Sequence, residues 1–111
     1  PHLIRYDIGG KYAPHHDYFF PNSETFTQNC VLRGGQRVYT ALVYLNEEYT
    51  GGGTDFPELN YMVSPSVGKL AMWRNLTEDF VPNSDTLHAG LPVESGTKWI
   101  LTVWIRERTF T

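Results

Sequence analysis

Four stretches of the chain are dense in β-branched and aromatic residues: Leu3-Ile4-Arg5-Tyr6-Asp7-Ile8, Val38-Tyr39-Thr40-Ala41-Leu42-Val43-Tyr44-Leu45, Lys69-Leu70-Ala71-Met72-Trp73 and Lys98-Trp99-Ile100-Leu101-Thr102-Val103-Trp104-Ile105. Each is bounded by Gly, Pro, Asn or Asp, the residues that punctuate strands, and each predicts a strand. Shorter candidates cover Tyr12–Phe19, Gly53–Phe56 and Leu87–Gly90. No helix is predicted. Many short strands separated by turn clusters imply an antiparallel sandwich or barrel, with any helical cover lying upstream. Gly51-Gly52-Gly53 reads as a turn between strands, because a phosphate loop would need a Lys-Ser/Thr pair and a following helix.

With 111 residues, 41% hydrophobic and 19% charged, the chain is one domain's worth of sequence and can bury a single core. A start at Pro1 that leads almost directly into a strand gives the expectation that residues 1–111 are one catalytic core taken from a longer chain. The net charge of −3 and the scattered Lys and Arg offer no basic surface for a phosphate backbone, so nucleic acid is not an expected partner. No apolar run approaches the roughly 20 residues that span a bilayer, and a membrane is not expected either. One cysteine, Cys30, makes no internal disulfide; together with the absence of a signal peptide in this stretch it favours a cytoplasmic location. The sequon Asn75-Leu76-Thr77 matters only in a secreted chain.

The chemistry-bearing residues are sparse. In Pro14-His15-His16-Asp17-Tyr18, extended backbone turns His15 and Asp17 to one face and His16 to the other. His88, far along the chain, offers a second imidazole if the sheet closes. Two histidines and one carboxylate with open positions suit a non-haem Fe(II) oxygenase, whereas a structural zinc site would need four ligands, usually with cysteine. Taken alone, His-x-Asp is a common surface pattern.

The remainder of the sequence is more specific. Tyr6-(x5)-Tyr12-(x2)-His15-x-Asp17, Arg37-(x6)-Tyr44-Leu45-Asn46, Gly51-Gly52-Gly53-Thr54-Asp55-Phe56-Pro57, Gly68-Lys69-Leu70-Ala71 and His88-Ala89-Gly90-Leu91-Pro92-Val93-(x2)-Gly96-x-Lys98-Trp99 follow one another in an order that resembles the prolyl 4-hydroxylase family of Fe(II)/2-oxoglutarate-dependent dioxygenases. The likeness runs over nearly the whole chain. It implies a mainly β fold, a double-stranded β-helix or jelly roll, with His15, Asp17 and His88 as catalytic iron ligands inside its open end. It also implies 2-oxoglutarate as co-substrate and leaves ascorbate open as a further cofactor.

By the same resemblance Lys98, ten residues after His88, pairs with the far carboxylate of 2-oxoglutarate, and an ammonium inside a barrel does call for an anion. Tyr44, Thr40 and Tyr6 are further candidate contacts of the co-substrate, and Trp104 is either a contact or plain core. Arg37 either orients groups at the mouth or is a solvated strand-end charge. The expected substrate is a C–H bond of a proline-containing peptide or protein. Relatives of this type commonly carry a His where this chain has Arg106, which keeps a free amino acid or another small molecule in view; a non-catalytic jelly-roll binding module is the reading from another class. The loop Phe20–Gly35 is a candidate substrate lid or an ordinary connection.

Overall fold

The computed structural model describes residues 1–21, 23–28 and 33–108. Ten strands carry the fold: β1 (His2–Tyr6), β2 (Tyr12–His15), β3 (Arg37–Tyr44), β4 (Tyr49–Gly51), β5 (Thr54–Phe56), β6 (Tyr61–Val63), β7 (Leu70–Arg74), β8 (His88–Gly90), β9 (Val93–Gly96) and β10 (Lys98–Arg106). One four-stranded sheet has the order β1-β10-β3-β7, a second has β2-β8-β5-β6, and β4 pairs with β9 at one end. All the strand pairs are antiparallel. Strands distant in sequence are neighbours in both four-stranded sheets, β1 beside β10 and β2 beside β8, and this two-sheet antiparallel arrangement is the jelly roll that the family resemblance implied.

The long strands form where side-chain alternation is cleanest. In β3, Val38, Thr40, Leu42 and Tyr44 are buried while their neighbours are half-buried, so one face of the strand turns inward. β10 sets Lys98, Ile100 and Thr102 inward against it, with Ile100 opposite Tyr44, Thr102 opposite Leu42 and Trp104 opposite Thr40. Leu42, Tyr44 and Ile100 form a buried cluster with Ile4, Tyr6, Val63 and Trp73 around it, and Tyr18, Val38 and Leu76 form a second one. Burying such side chains stabilises the fold by about 1.5–3 kcal/mol each.

The helical content is slight. Ser23 caps a single turn, Glu24–Phe26, by accepting a hydrogen bond from the Phe26 amide, and short 3-10 turns occupy Pro57–Leu59 and Ser84–Thr86. The candidate lid lies partly outside the described residues. Gly51-Gly52-Gly53 does link strands: β4 ends at Gly51 and β5 begins at Thr54. Gly51 and Gly52 have φ of +72° and +70°, a region that side chains disfavour, and a Cβ on Gly51 would run into the Pro92 carbonyl. The turn folds the β4–β9 end against the stem of Lys98, whose Cδ would lie 3.1 Å from a Cβ on Gly52.

The sequon asparagine Asn75 has no exposed surface, so the folded domain does not present it for glycosylation.

Candidate functional site

A cavity of about 350 Å³ opens between the two sheets, lined by residues of β1, β2, β3, β5, β7, β8 and β10 and by the segment leaving β2. His15 and His88 occupy directly opposite positions on β2 and β8, so sheet pairing itself brings the two imidazoles together, with ring centroids 4.3 Å apart. Asp17 is not on the strand. β2 ends at His15 and Asp17 lies in the bend that follows, which still returns its side chain to the face of His15. Its Oδ1 is 3.3 Å from His15 Nε2 and 3.4 Å from His88 Nε2. Among the described residues these three form the one His/Cys/Asp/Glu group able to hold a metal ion, with ligand atoms within 4.8 Å of one another.

Hydrogen bonding fixes how the imidazoles present themselves. His15 Nδ1 lies 2.7 Å from the Ala13 carbonyl and His88 Nδ1 lies 2.8 Å from the Thr86 carbonyl. A carbonyl only accepts, so both Nδ1 atoms carry a proton and both Nε2 atoms turn toward Asp17, each with a lone pair where its ring is neutral and an N–H where it is protonated. Two nitrogen lone pairs and a carboxylate oxygen facing one another repel unless a proton or a cation lies between them. Burial alone would raise the Asp17 pKa, but the contacts with His15, His88 and Thr40 outweigh it and hold the carboxyl far below its usual range. Burial alone would lower the His15 pKa, and Asp17 together with the Ala13 carbonyl reverses this to a net rise. The donor set, two imidazoles and one carboxylate with the remaining directions open to the cavity, fits a divalent transition metal.

Lys98 is 2% exposed and has no ion-pair partner among the described residues. Its Nζ sits 5.0 Å from the Tyr6 ring centre and 6.0 Å from that of Tyr44, and burial pushes its pKa down to about 8. Tyr6 stands opposite Lys98 across β1 and β10. The Tyr44 hydroxyl is engaged at 2.6 Å with the hydroxyl of Thr54, which lines the cavity. The Thr40 hydroxyl donates to Asp17 Oδ2 at 2.7 Å, so its proton points at the carboxylate. Trp104 lines the cavity with its indole N–H buried and lacking a hydrogen-bond partner among the described residues, as does Trp73.

Arg37 is no solvated strand end. Its guanidinium lies 3.9 Å from the Trp104 ring centre and 4.6 Å from that of Phe19, and it donates to the Asp17 carbonyl at 3.4 Å. Arg106 donates instead to the Gly35 carbonyl at 2.9 Å, beyond an irregularity in β10, and does not line the cavity. His16 also borders the cavity, stacked on Tyr18 and within 3.2 Å of the Ser84 carbonyl. Thr54, Trp73 and Asn75 also belong to the site or its support, without a functional signal of their own in the sequence. Alternation along β7 places Trp73 on the inner face, whereas nothing local points to Asn75.

Comparison with known proteins agrees with this geometry. The family model described as the 2OG-Fe(II) oxygenase superfamily matches residues 1–106. A putative prolyl 4-hydroxylase of Acanthamoeba polyphaga mimivirus is 40% identical over 98% of this chain, and human prolyl 4-hydroxylase subunit alpha-3 is 37% identical over 95% of it. The chain spans 45% of the first of these proteins and 19% of the second. The crystal structure of a viral collagen prolyl hydroxylase from Paramecium bursaria Chlorella virus-1, solved as a 2OG complex, superposes with a TM-score of 0.77 at 36% identity, covering 94% of this chain and 56% of that one. The chain belongs to the 2OG-Fe(II) oxygenase superfamily.

Proposed function

We propose that residues 1–111 are the catalytic core of a longer Fe(II)- and 2-oxoglutarate-dependent dioxygenase that hydroxylates a prolyl C–H bond in a peptide or protein. The observation that carries the reading is the convergence of His15 Nε2, His88 Nε2 and Asp17 Oδ1 on one point of a cavity that also contains a buried lysine without a counter-ion among the described residues. With Fe(II) bound, 2-oxoglutarate and dioxygen supply the oxidation, in which the co-substrate is decarboxylated to succinate and one oxygen atom reaches the substrate carbon.

The chain's own residues hold and orient. His15, Asp17 and His88 are the metal ligands, with ring orientation set by the Ala13 and Thr86 carbonyls. Lys98 binds the distal carboxylate of 2-oxoglutarate, and the anion would relieve the desolvation that now depresses its pKa. Tyr6 flanks that ammonium and Tyr44 lies beneath it, while the unpartnered indole N–H groups of Trp73 and Trp104 are donors available to oxygen atoms in the cavity. Apolar Ile4, Leu42 and Ile100 line the same cavity as Lys98 and the metal ligands.

A proline-containing substrate is favoured by the names of the relatives and of the superposed structure. The residue that departs from the family pattern, Arg106, lies off the cavity lining and so does not argue against a peptide. The test is incubation of the protein with Fe(II), 2-oxoglutarate and a proline-rich peptide, read by mass spectrometry. Gain of one oxygen atom on proline is expected. Decarboxylation that no proline peptide stimulates, while a free amino acid does, would transfer the activity to a small molecule.

A further inference from the structure

Asp17 presents only one of its two oxygens to the histidines. Oδ1 faces both Nε2 atoms, while Oδ2 accepts a 2.7 Å hydrogen bond from Thr40 Oγ1. Thr40 is 1% exposed, and its hydroxyl oxygen lies 2.8 Å from the Asn75 side-chain amide nitrogen, itself fully buried. A hydroxyl has a single proton. Because an amide N–H only donates, Asn75 takes a lone pair of Thr40 and leaves that proton directed at Asp17.

The alternative amide orientation fails on chemistry. With Oδ1 of Asn75 turned to Thr40, one proton would have to serve two acceptors. The observed orientation leaves Asn75 Oδ1 buried without a partner among the described residues, an arrangement that costs about 1–3 kcal/mol. Asn75 is also held by its backbone, which donates to the Val38 carbonyl at 2.8 Å and accepts from the Asn83 amide at 2.9 Å. A residue held by hydrogen bonds at both its backbone N–H and its C=O, with an unsatisfied side-chain acceptor, is placed to donate in one direction.

We infer that Asn75 is a positioning residue which, through Thr40, locks the Asp17 carboxylate so that Oδ1 alone is offered to the metal. The inference rests on the reading of His15, Asp17 and His88 as metal ligands. Without the relay the carboxylate is free to rotate about its bond to Cβ and to offer both oxygens. Partners that orient a ligand in this way typically change metal affinity by roughly 10- to 100-fold when removed.

The test is titration of the metal-free protein with Co(II), read by its ligand-field absorption, for wild type, Thr40→Ser, Thr40→Val, Asn75→Leu and the double variant Thr40→Val/Asn75→Leu. Melting of each metal-free protein is measured alongside. Thr40→Ser should bind Co(II) as wild type does, Thr40→Val should lose roughly 10- to 100-fold, and Asn75→Leu should lose affinity less steeply. Because Asn75 acts through Thr40, the double variant should match Thr40→Val alone within about twofold. A merely structural role would lower the melting temperature and leave affinity and spectrum unmoved. Wild-type affinity and spectrum in folded Thr40→Val, or in folded Asn75→Leu, would overturn the inference, as would a double variant whose loss is the product of the single losses. Failure of wild type to bind Co(II) would overturn the metal-site reading together with the relay; binding by wild type with unaffected relay variants would overturn the relay alone.

Discussion

Replacing Lys98 by Met should stabilise the ligand-free domain while removing its response to 2-oxoglutarate. Lys98 is 2% exposed and its ammonium has no carboxylate partner among the described residues. Burial lowers its pKa from 10.5 to about 8, which corresponds to about 3 kcal/mol of desolvation carried by the charged form at neutral pH. Met keeps a stem of similar length and discards the charge. It also forfeits the attraction to the Tyr6 and Tyr44 rings, together about 1 kcal/mol, leaving a net gain of about 2 kcal/mol. The folded-state pKa lies below the unfolded one, so below pH 8 both states are charged and the full cost is present. Between about pH 8 and 10.5 the unfolded chain binds more protons, and wild-type stability rises with pH there. The Met variant lacks that rise. Denaturant melts at pH 7 and across the alkaline range measure both effects. In the presence of metal, 2-oxoglutarate at about 100 times its Kd should add about 2.7 kcal/mol to wild type and far less to Lys98→Met at the same concentration. A Met variant less stable than wild type at pH 7, or one stabilised equally by 2-oxoglutarate, would refute the assignment of Lys98 as an anion anchor.

Gly51→Ala should destabilise the domain by about 1–3 kcal/mol, because the residue sits at φ +72° and its new methyl group would meet the Pro92 carbonyl; an unchanged melting temperature would mean that the turn relaxes freely. Arg37→Ala should cost about 1–2 kcal/mol of stability through lost stacking on Trp104 and Phe19, and Arg37→Lys should not restore it, since an ammonium lacks the planar face. Full recovery in the Lys variant would show that charge alone matters there. Phe56→Ala should cost about 3–5 kcal/mol and weaken metal binding as well, because Phe56 packs edge-on to Trp73 at 5.0 Å and against the His88 ring at 5.5 Å. Equilibrium unfolding and Co(II) titration of the same variant separate the two effects.

What the sequence revealed of this fold follows from where its signal is local. β3 and β10 are long and rich in β-branched and aromatic residues, so both strands were identifiable locally, and alternation turns Thr40, Tyr44 and Lys98 inward, whereas the role of Lys98 came from the family resemblance. β4, β6 and β9 went unpredicted because they are three or four residues long and mostly exposed; they exist through pairing with partners elsewhere in the chain, which no local pattern records. The juxtaposition of His15 and Asp17 was anticipated from strand alternation, yet it arises from a bend after β2, two routes to the same side of the backbone. The approach of His88 required the β2–β8 register, and the link to Thr40 on β3 comes from Asn75 in the bend just after β7, so both are products of tertiary folding. The sequence left Arg37 open between a residue at the mouth and a solvated strand-end charge because its neighbours in space, Phe19 and Trp104, are remote in sequence.

The most direct test of the central claim is succinate formation from 2-oxoglutarate by the anaerobically Fe(II)-loaded protein after air is admitted, with Asp17→Ala and His88→Ala measured in parallel. Succinate that requires both iron and these two side chains is the predicted result. A folded, iron-loaded wild-type protein that forms none, or an Asp17→Ala variant that retains near-normal turnover, would contradict it.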